Sequence, residues 1–355
     1  MNIKNNYILL IISIGIALIV VMGAMSFPEN NPSQNYEIDD KTPLWELLTK
    51  LGRTDAPNLK NVDGASVEKG RDLVHKGYTI GPDGKKNSPI SKFFVCTTCH
   101  NTKKEFEVLT ETSPEKRLEY ASKNNLPFLQ ASSFYGIVNR NSFYNDDYQK
   151  KYADEPGIKE AARDLRSAIN FCARECSQGR NLKDWEIESI LAYFWTLEYQ
   201  VGDLKLSPEE MKQVNKDLKN NNSKAAALKM VESKFQSYVP AHFLNIPRFE
   251  KVNENESKDA GRIADGKAIF NHACLHCHLN KKYSFFDLED NELTLKSMES
   301  ATRTENYIFS MYYLVREGLD PRMGHRSYMP AFTAEKMSPE QLKNLYIYSL
   351  SASVK

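Results

Sequence analysis

The sequence predicts a mostly α-helical protein, with two modules in tandem behind an N-terminal transmembrane helix. Three observations support this prediction: an uncharged N-terminal run, two similar helical segments, and two copies of one cysteine motif. No stretch of useful length alternates apolar and polar residues as a half-buried strand would. The 355 residues suit about two domains, and six cysteines are too few for a disulfide scaffold in a chain of this length.

The N-terminal run predicts export of the remaining chain. Residues 7–25 carry no charge, and as a helix they roughly cross the hydrocarbon core of a membrane. Lys4 precedes the run and acidic residues follow it, which favours an N-terminus inside and the rest on the periplasmic side. The alternative is a cleaved signal peptide, with small residues at positions 24–26. The length of the run favours a retained anchor in the inner membrane.

The chain divides into five segments by composition and helical periodicity. They are an anchor or signal at 1–27, a polar tether at 28–63, a first module at 64–202, a helical bridge at 203–258 and a second module at 259–355. Capping boxes at Ser207 with Glu210, and at Ser338 with Gln341, predict the starts of two helices. We expect the bridge to face solvent, because it is polar and broken by a run of asparagines.

Two copies of C-x-x-C-H predict covalently bound haem c. Two thiols three residues apart can each bond one vinyl side of a porphyrin, and the adjacent histidine then ligates the iron. A redox dithiol is a rival, but it is expected in a βαβ context, and zinc-binding pairs lie about 15–20 residues apart. Here Cys99 and Cys274 are 175 positions apart. The expected haem-binding residues are Cys96, Cys99 and His100 in the first motif, and Cys274, Cys277 and His278 in the second.

The second module resembles a class I cytochrome c. Gly266, Phe270 and Cys274 follow one another at intervals of four, as in the N-terminal helix of that family. The sequence Met329-Pro-Ala-Phe is similar to the family's distal methionine loop, and Tyr348 lies on the apolar face of a similar final helix. The resemblance implies that the glycine lets the two helices cross closely and that the aromatic residue packs beside the haem.

The same resemblance implies His278 and Met329 as axial ligands, a pair that raises the haem potential. The alternative for Met329 is a core methionine, because methionine fills gaps readily. Met323, His325 and His276 are nearby substitutes as ligands. We expect His276, inside the motif, to lie at the solvent edge.

The first module shows the same pattern without its methionine. Pairing Leu182 with Met337 also aligns Tyr193 with Tyr348, which is a weak internal repeat. Gly70 then begins a matching N-terminal helix, followed by an insertion before the first motif. In this register Met329 falls on Arg174, and no methionine occurs between residues 26 and 210. The first haem therefore has no local methionine ligand.

Cys172 and Cys176 flank the position where the ligand is missing. They are a disulfide, two buried thiols, or a thiol and a thiolate ligand to the first iron. We expect Arg174 and Arg180 to lower a thiol pKa and so favour the ligand. Cys176 is the first choice, because the glycine at 179 indicates a following loop. Cys172 and His75 are the alternative ligands of the first iron. The candidate metal ligands of the whole chain are therefore His100, His278, Met329 and Cys176, with Cys172 and His75 as alternatives.

A His/Cys haem beside a His/Met haem resembles the thiosulfate dehydrogenase and sulfur-oxidising dihaem cytochromes. That resemblance implies that the cysteine-ligated haem is a site for a sulfur substrate. The candidate catalytic residues are then Cys176, Arg174 and Arg180, and Arg140 is a further arginine suited to an oxyanion. The alternative for the arginines is an ordinary surface role.

The sequence thus predicts a dihaem c-type cytochrome. It transfers electrons between a membrane or periplasmic donor and an acceptor, both redox partner proteins, and it touches the membrane through its first helix. We expect a lower potential at the first haem than at the second, so that electrons run from the first module to the second. The net charge of +1 gives no electrostatic case for nucleic acid. An oxidoreductase that acts on a sulfur oxyanion at the first haem is the alternative to an electron carrier.

Overall fold

A computed structural model describes residues 37–238, 252–279, 298, 300, 310–318 and 329–352. These residues are mainly helical and contain no β-strand, only two isolated bridges, which confirms the mostly α class. None of the described helices has the length and apolar character to cross a membrane. The span predicted at residues 7–25 lies outside the described residues.

The first half of the structure, residues 37–238, contains nine described α-helices. They are α1 (Leu44–Lys50), α2 (Val67–Lys76), α3 (Pro114–Lys123), α4 (Asp146–Lys151), α5 (Ile158–Ala161), α6 (Leu165–Phe171), α7 (Asp184–Trp195), α8 (Pro208–Asp217) and α9 (Lys224–Glu232). Short 3₁₀ turns occupy Cys96–Thr98, Ile137–Asn139 and Val201–Leu204.

The second half, which starts at residue 252, contains five α-helices among its described residues. They are α10 (Glu254–Ser257), α11 (Ala260–Ile269), α12 (Leu275–His278), α13 (Met311–Glu317) and α14 (Pro339–Ala352). One π-helical turn extends α6 over Cys172–Cys176, and another extends α11 over Phe270–Cys274.

The helix ends follow local sequence signals. At the start of α2, the Ser66 side chain accepts a hydrogen bond from the Lys69 N–H, and the helix ends at Gly77, whose φ of 75° suits glycine. The two predicted capping residues are confirmed: the Ser207 and Ser338 hydroxyls accept from backbone N–H groups three residues on, each 3.1 Å away.

Each half is organised around one close crossing of two helices. In the first half α2 crosses α7, and in the second half α11 crosses α14. A Cβ atom on Gly70 would overlap the carbonyl of Ser189, and a Cβ atom on Gly266 would overlap that of Asn344. Only glycine allows backbones to approach this closely. Ser189 and Asn344 are paired by the same register that aligns Tyr193 with Tyr348.

Residues 38–63, which the sequence predicts as part of a polar tether, instead pack onto the first half. Helix α1 buries one apolar face made of Leu44, Trp45, Leu47 and Leu48. The Trp45 indole N–H donates to the Val138 carbonyl at 2.7 Å, and the Leu44 N–H donates to the Tyr199 carbonyl at 2.8 Å. This stretch contains a short amphipathic helix among its polar residues, so the prediction of a tether is wrong from Ile38 onward.

The predicted solvent-facing bridge also packs against the first half. Its helices α8 and α9 bury Val214, Ala227 and Val231, and Phe235 follows them into the same apolar core. Their remaining faces are polar, which made the segment look solvated in the sequence. Residues 239–251 lie outside the described residues.

The described residues from Ile38 onward form one compact unit, and a segment of the first half joins the two halves. Phe128 is fully buried in the apolar core of the second half, where its ring stacks on Phe332 at 6.4 Å. Its N–H donates to the His272 carbonyl at 2.8 Å. The Arg117 guanidinium donates to the Lys336 carbonyl at 3.1 Å. We call this boundary, formed by segments of residues 97–140 of the first half against the second half, the seam.

Candidate functional site

A large cavity lies between the first motif and the π-helical turn of Cys172–Cys176. Its empty space is about 1430 Å³ with the open mouth included. Most of its wall is apolar, with side chains that include Ile90, Val95, Phe134, Leu165, Ile190 and Phe194. We call it the first cavity. Its apolar lining suits the face of a macrocycle.

The first motif presents a histidine prepared for a metal. Cys96, Cys99 and His100 all line the first cavity. The His100 Nδ1–H donates to the Ser132 carbonyl at 2.6 Å, because a carbonyl can only accept, and this leaves the Nε2 lone pair available. Burial lowers the pKa of His100 to about 4, so the imidazole is neutral. A neutral imidazole with a fixed tautomer is the form that ligates iron.

The four motif thiols do not have the chemistry of a redox dithiol. Burial raises the pKa of Cys96, Cys274 and Cys277 to about 12, and it raises that of Cys99 as well. A reactive dithiol needs a lowered thiol pKa at a cationic or helix N-terminal position. The redox alternative is therefore disfavoured.

Cys172 and Cys176 also line the first cavity, and neither is in a disulfide. A hydrogen bond from the Cys172 thiol lowers the pKa of Cys176, against the effect of burial, and the hydroxyls of Tyr144 and Tyr152 lower it further. That hydrogen bond, together with burial, raises the pKa of Cys172. Cys176 is thus the more acidic thiol of the pair, and the Cys172 thiol donates a hydrogen bond to it.

The arginines expected to lower the thiol pKa are engaged elsewhere. The Arg174 guanidinium pairs with Glu175 and donates to the Pro156 carbonyl. The Arg180 guanidinium pairs at 2.6 Å with the buried carboxylate of Glu186. Neither arginine lines the first cavity, whereas Arg140 does. The sequence analysis attributed a lowered thiol pKa to the arginines, and this was wrong. Hydrogen bonds from a second thiol and from tyrosine hydroxyls lower the pKa of Cys176 instead.

His75, the alternative ligand, is not among the residues that line the first cavity. Its Nε2 lies 2.9 Å from the hydroxyl of Tyr193 at the crossing of α2 and α7. The ring of His75 meets that tyrosine edge-on, with centroids 5.7 Å apart. This contact gives His75 a packing role at the helix crossing.

The second motif continues directly from α11. The π-helical turn ends at Cys274, and α12 then carries Cys277 and His278. Phe270 is 2% exposed and packs against Tyr348, with ring centroids 5.6 Å apart. This contact belongs to the crossing of α11 and α14, which the resemblance implied at Gly266.

The loop that begins at Met329 is fastened to α13. Met329 packs against the same apolar core as Cys274. The Phe332 N–H donates to the Val315 carbonyl at 2.8 Å, and the buried Arg316 guanidinium donates to the Phe332 carbonyl at 3.0 Å. These bonds hold the loop beside the second motif. Met323 and His325, the substitutes for Met329, lie outside the described residues.

The two motifs touch each other. His276, in the second motif, donates from Nε2 to the carbonyl of Thr97, in the first motif, at 3.0 Å. Its residue is half-buried. This corrects the expectation that His276 lies at a solvent edge: the seam covers it.

Three tyrosines and one carbonyl complete the first cavity and were missed by the sequence reasoning. Tyr144, Tyr148 and Tyr152 recur every four residues along α4 and its ends, and all three line the cavity. That spacing is a signal for one helix face. No sequence signal identifies the carbonyl of Ser132, because any residue supplies one.

The comparisons with known proteins bear on the second half. The family model described as cytochrome C oxidase, cbb3-type, subunit III matches residues 261–348, which include the second motif and Met329. No curated protein and no solved structure matches the chain. Residues 261–348 are a cytochrome c-type module. The chain is therefore an electron-transfer haem protein with covalently bound haem c.

Proposed function

We propose that the protein is a dihaem c-type cytochrome that transfers electrons between a membrane or periplasmic donor and an acceptor. The observation that supports this most is the contact of the two C-x-x-C-H motifs through His276 and Thr97, at 3.0 Å. Attachment at both motifs brings two redox groups into one folded unit. Each haem c supplies one-electron exchange when bound.

The residues of the first cavity fit a haem. Cys96 and Cys99 supply two thiols for attachment, and His100 supplies a neutral imidazole whose Nε2 is available. The carbonyl of Ser132 fixes the ring orientation of that histidine. On the other wall Cys176 is the proposed distal ligand. In the second module His278 and Met329 are the proposed ligands.

Export and membrane attachment are parts of the same proposal. They rest on the uncharged run at residues 7–25 and on the chemistry of haem c, whose thioether bonds join it to the chain permanently. Redox proteins at the membrane or in the periplasm are the proposed donor and acceptor.

The decisive experiment counts the haems. We expect the full chain to stain for haem on a denaturing gel and to have an intact mass with two haems. Cys96→Ser with Cys99→Ser, and Cys274→Ser with Cys277→Ser, should each leave one. Cys172→Ser is the matched control, and it should retain two. A wild-type mass with one haem contradicts the dihaem proposal.

A sulfur-oxyanion oxidoreductase is the second candidate function. It is supported by the lowered pKa of Cys176. Hydrogen bonds from Cys172 and two tyrosines lower this pKa, and the positive charge of Lys151 lowers it further. Lys151 lines the first cavity, so an anion bound there would meet a cation beside the proposed distal ligand.

Thiosulfate separates the two candidates. If the first site is enzymatic, thiosulfate reduces the purified protein, and Lys151→Gln slows that reduction while Lys150→Gln does not. If thiosulfate leaves both haems oxidised while a small reductant reduces them, the protein is a carrier.

A further inference from the structure

A second, smaller cavity adjoins the first one at the seam. Its empty space is about 430 Å³, and three residues line both cavities: Ser132, Arg140 and Lys336. Arg140 belongs to the first half, but Lys336 comes from the second half, between the Met329 loop and α14. The second half therefore contributes a cation to the wall of the first cavity.

The charges at this place do not balance. Arg117 is 1% exposed, Lys336 is 6% exposed and Glu105 is 7% exposed. The carboxylate of Glu105 is already bound by Arg117 at 2.9 Å and by the Asn101 amide at 2.8 Å. Burial alone would raise the pKa of Glu105, but the charges of Arg117 and Lys336 outweigh it and hold that pKa at about 2.

Two cations at the seam lack a carboxylate partner among the described residues. The Lys336 ammonium forms no ion pair there, and the nearby Glu335 acts on it only at longer range. Arg140 donates to the Ser133 carbonyl at 3.0 Å, but it pairs with no described carboxylate. Burial lowers the pKa of Lys336 to about 7. A buried cation is costly unless an anion pairs with it. Among the described residues, Lys336 and Arg140 are thus the cations of this place that no carboxylate neutralises by a direct contact.

We propose that Arg140 and Lys336 bind the two propionate carboxylates of the haem attached to the first motif. This inference rests on the proposed function, and it adds that the first haem site is completed by a residue of the second half. Two unpaired cations match two carboxylates, and a guanidinium suits a carboxylate in particular. A free dianion such as sulfate has the same charge, so the experiment must separate the two sources.

The proposal has an electrostatic consequence for the first haem. The positive charges of Lys336 and Arg140 both act on His100, the proposed ligand. A nearby cation favours the reduced form of a haem, because reduction removes one positive charge. Removing the Lys336 charge therefore lowers the potential of the first haem.

The test uses the full chain with Lys336→Met, Lys336→Arg and Lys267→Met. Methionine keeps the shape of a buried lysine without its charge, and such replacements are often neutral for folding. Lys267 is exposed on α11 and is the matched control. Haem content is measured by intact mass, and the potential of each haem by spectroelectrochemical titration.

We expect two haems in every variant, a lowered potential of the first haem in Lys336→Met, and potentials near the wild type in Lys336→Arg and Lys267→Met. An unchanged first potential in Lys336→Met overturns the proposal, although two haems remain. Titration of the wild type with sulfate, which is not a reductant, should leave the spectrum of the first haem unchanged. A spectral change that Lys336→Met abolishes assigns the cations to a soluble anion and overturns it too. A wild-type mass with one haem overturns the proposed function itself.

Discussion

The two C-x-x-C-H motifs have similar surroundings on one side, where two helices cross, and different surroundings on the opposite side. Behind each motif two helices cross at a glycine, Gly70 against Ser189 and Gly266 against Asn344. Opposite the first motif lies a π-helical turn with two thiols and three tyrosines, whereas the second motif is accompanied by a methionine loop that Arg316 fastens.

The comparison teaches that, in the proposed dihaem protein, different parts of the chain attach the haems and adjust their potentials. The crossing helices position the thiols and the proximal histidine, and this part is repeated. The distal side sets ligand identity and polarity, which are the protein's means of adjusting a haem potential. It differs between the halves, so the two sites have different proposed roles.

The largest effect that we predict comes from substitutions at the helix crossing, which is the feature that the two halves share. Gly70→Ala and Gly266→Ala should each lower the free energy of unfolding by about 3 kcal/mol, because the added Cβ overlaps a backbone carbonyl that cannot move without separating the helices. Denaturant unfolding followed by circular dichroism measures this.

Gly261→Ala, in α11 but away from the crossing, is the control and should be near neutral. Its added Cβ meets only the Asp259 side chain, at 3.2 Å. If Gly70→Ala unfolded like the wild type, the two halves would not share a close crossing.

The sequence predicted this shared part because the signal is local. Gly266 lies four residues before Phe270 and eight before Cys274, and the apolar residues that repeat in one register lie within single helices. The register that aligned Tyr193 with Tyr348 places both tyrosines beside the glycine of the opposite helix. The mostly α class and both capping boxes were predicted in the same way, and the cytochrome c-type module that the resemblance placed at 259–355 contains the matched residues 261–348.

The second prediction concerns the distal side of the second motif. Met329→Ala should abolish the methionine–iron charge-transfer band and lower the potential of that haem, because a thioether ligand raises it. Visible spectra and a redox titration measure both quantities. Met230→Ala, on α9 in the first half, is the control. A parent-like spectrum and potential in Met329→Ala would make Met329 a packing residue.

The third prediction concerns the distal side of the first motif. Cys176→Ala should convert a low-spin thiolate-ligated haem to high spin or to another ligand. Cys172→Ala should keep the low-spin form and shift it slightly, because it removes only the hydrogen bond that lowers the pKa of Cys176. Electron spin resonance distinguishes these states. Unchanged spectra in both variants would remove the thiolate from the first site.

The sequence could not predict the seam, because it depends on contacts between distant segments. Phe128 lies in the first half of the chain yet packs in the core of the second, against Phe332. Arg117 reaches Lys336 across 219 positions. No periodicity or motif encodes such pairs. The polar stretch at residues 38–63, which contains α1, misled the sequence reasoning. Its few apolar residues are buried only once the first half has folded, so the sequence alone did not distinguish it from a tether.

The smallest effect that we predict sharpens the difference between the two distal sides. Tyr152→Phe removes one hydroxyl that donates to Cys176 and helps to lower its pKa. A thiolate without that hydrogen bond donates more electron density to iron, so the potential of the first haem should fall. A hydrogen bond worth about 1 kcal/mol corresponds to roughly 40 mV for one electron. Tyr238→Phe, at an exposed tyrosine, should leave both potentials unchanged. The potential of the second haem should not move in either variant, because its distal ligand is a thioether held by a separate loop. An equal fall at both haems would mean that Tyr152 acts through the fold and not through the sulfur of Cys176.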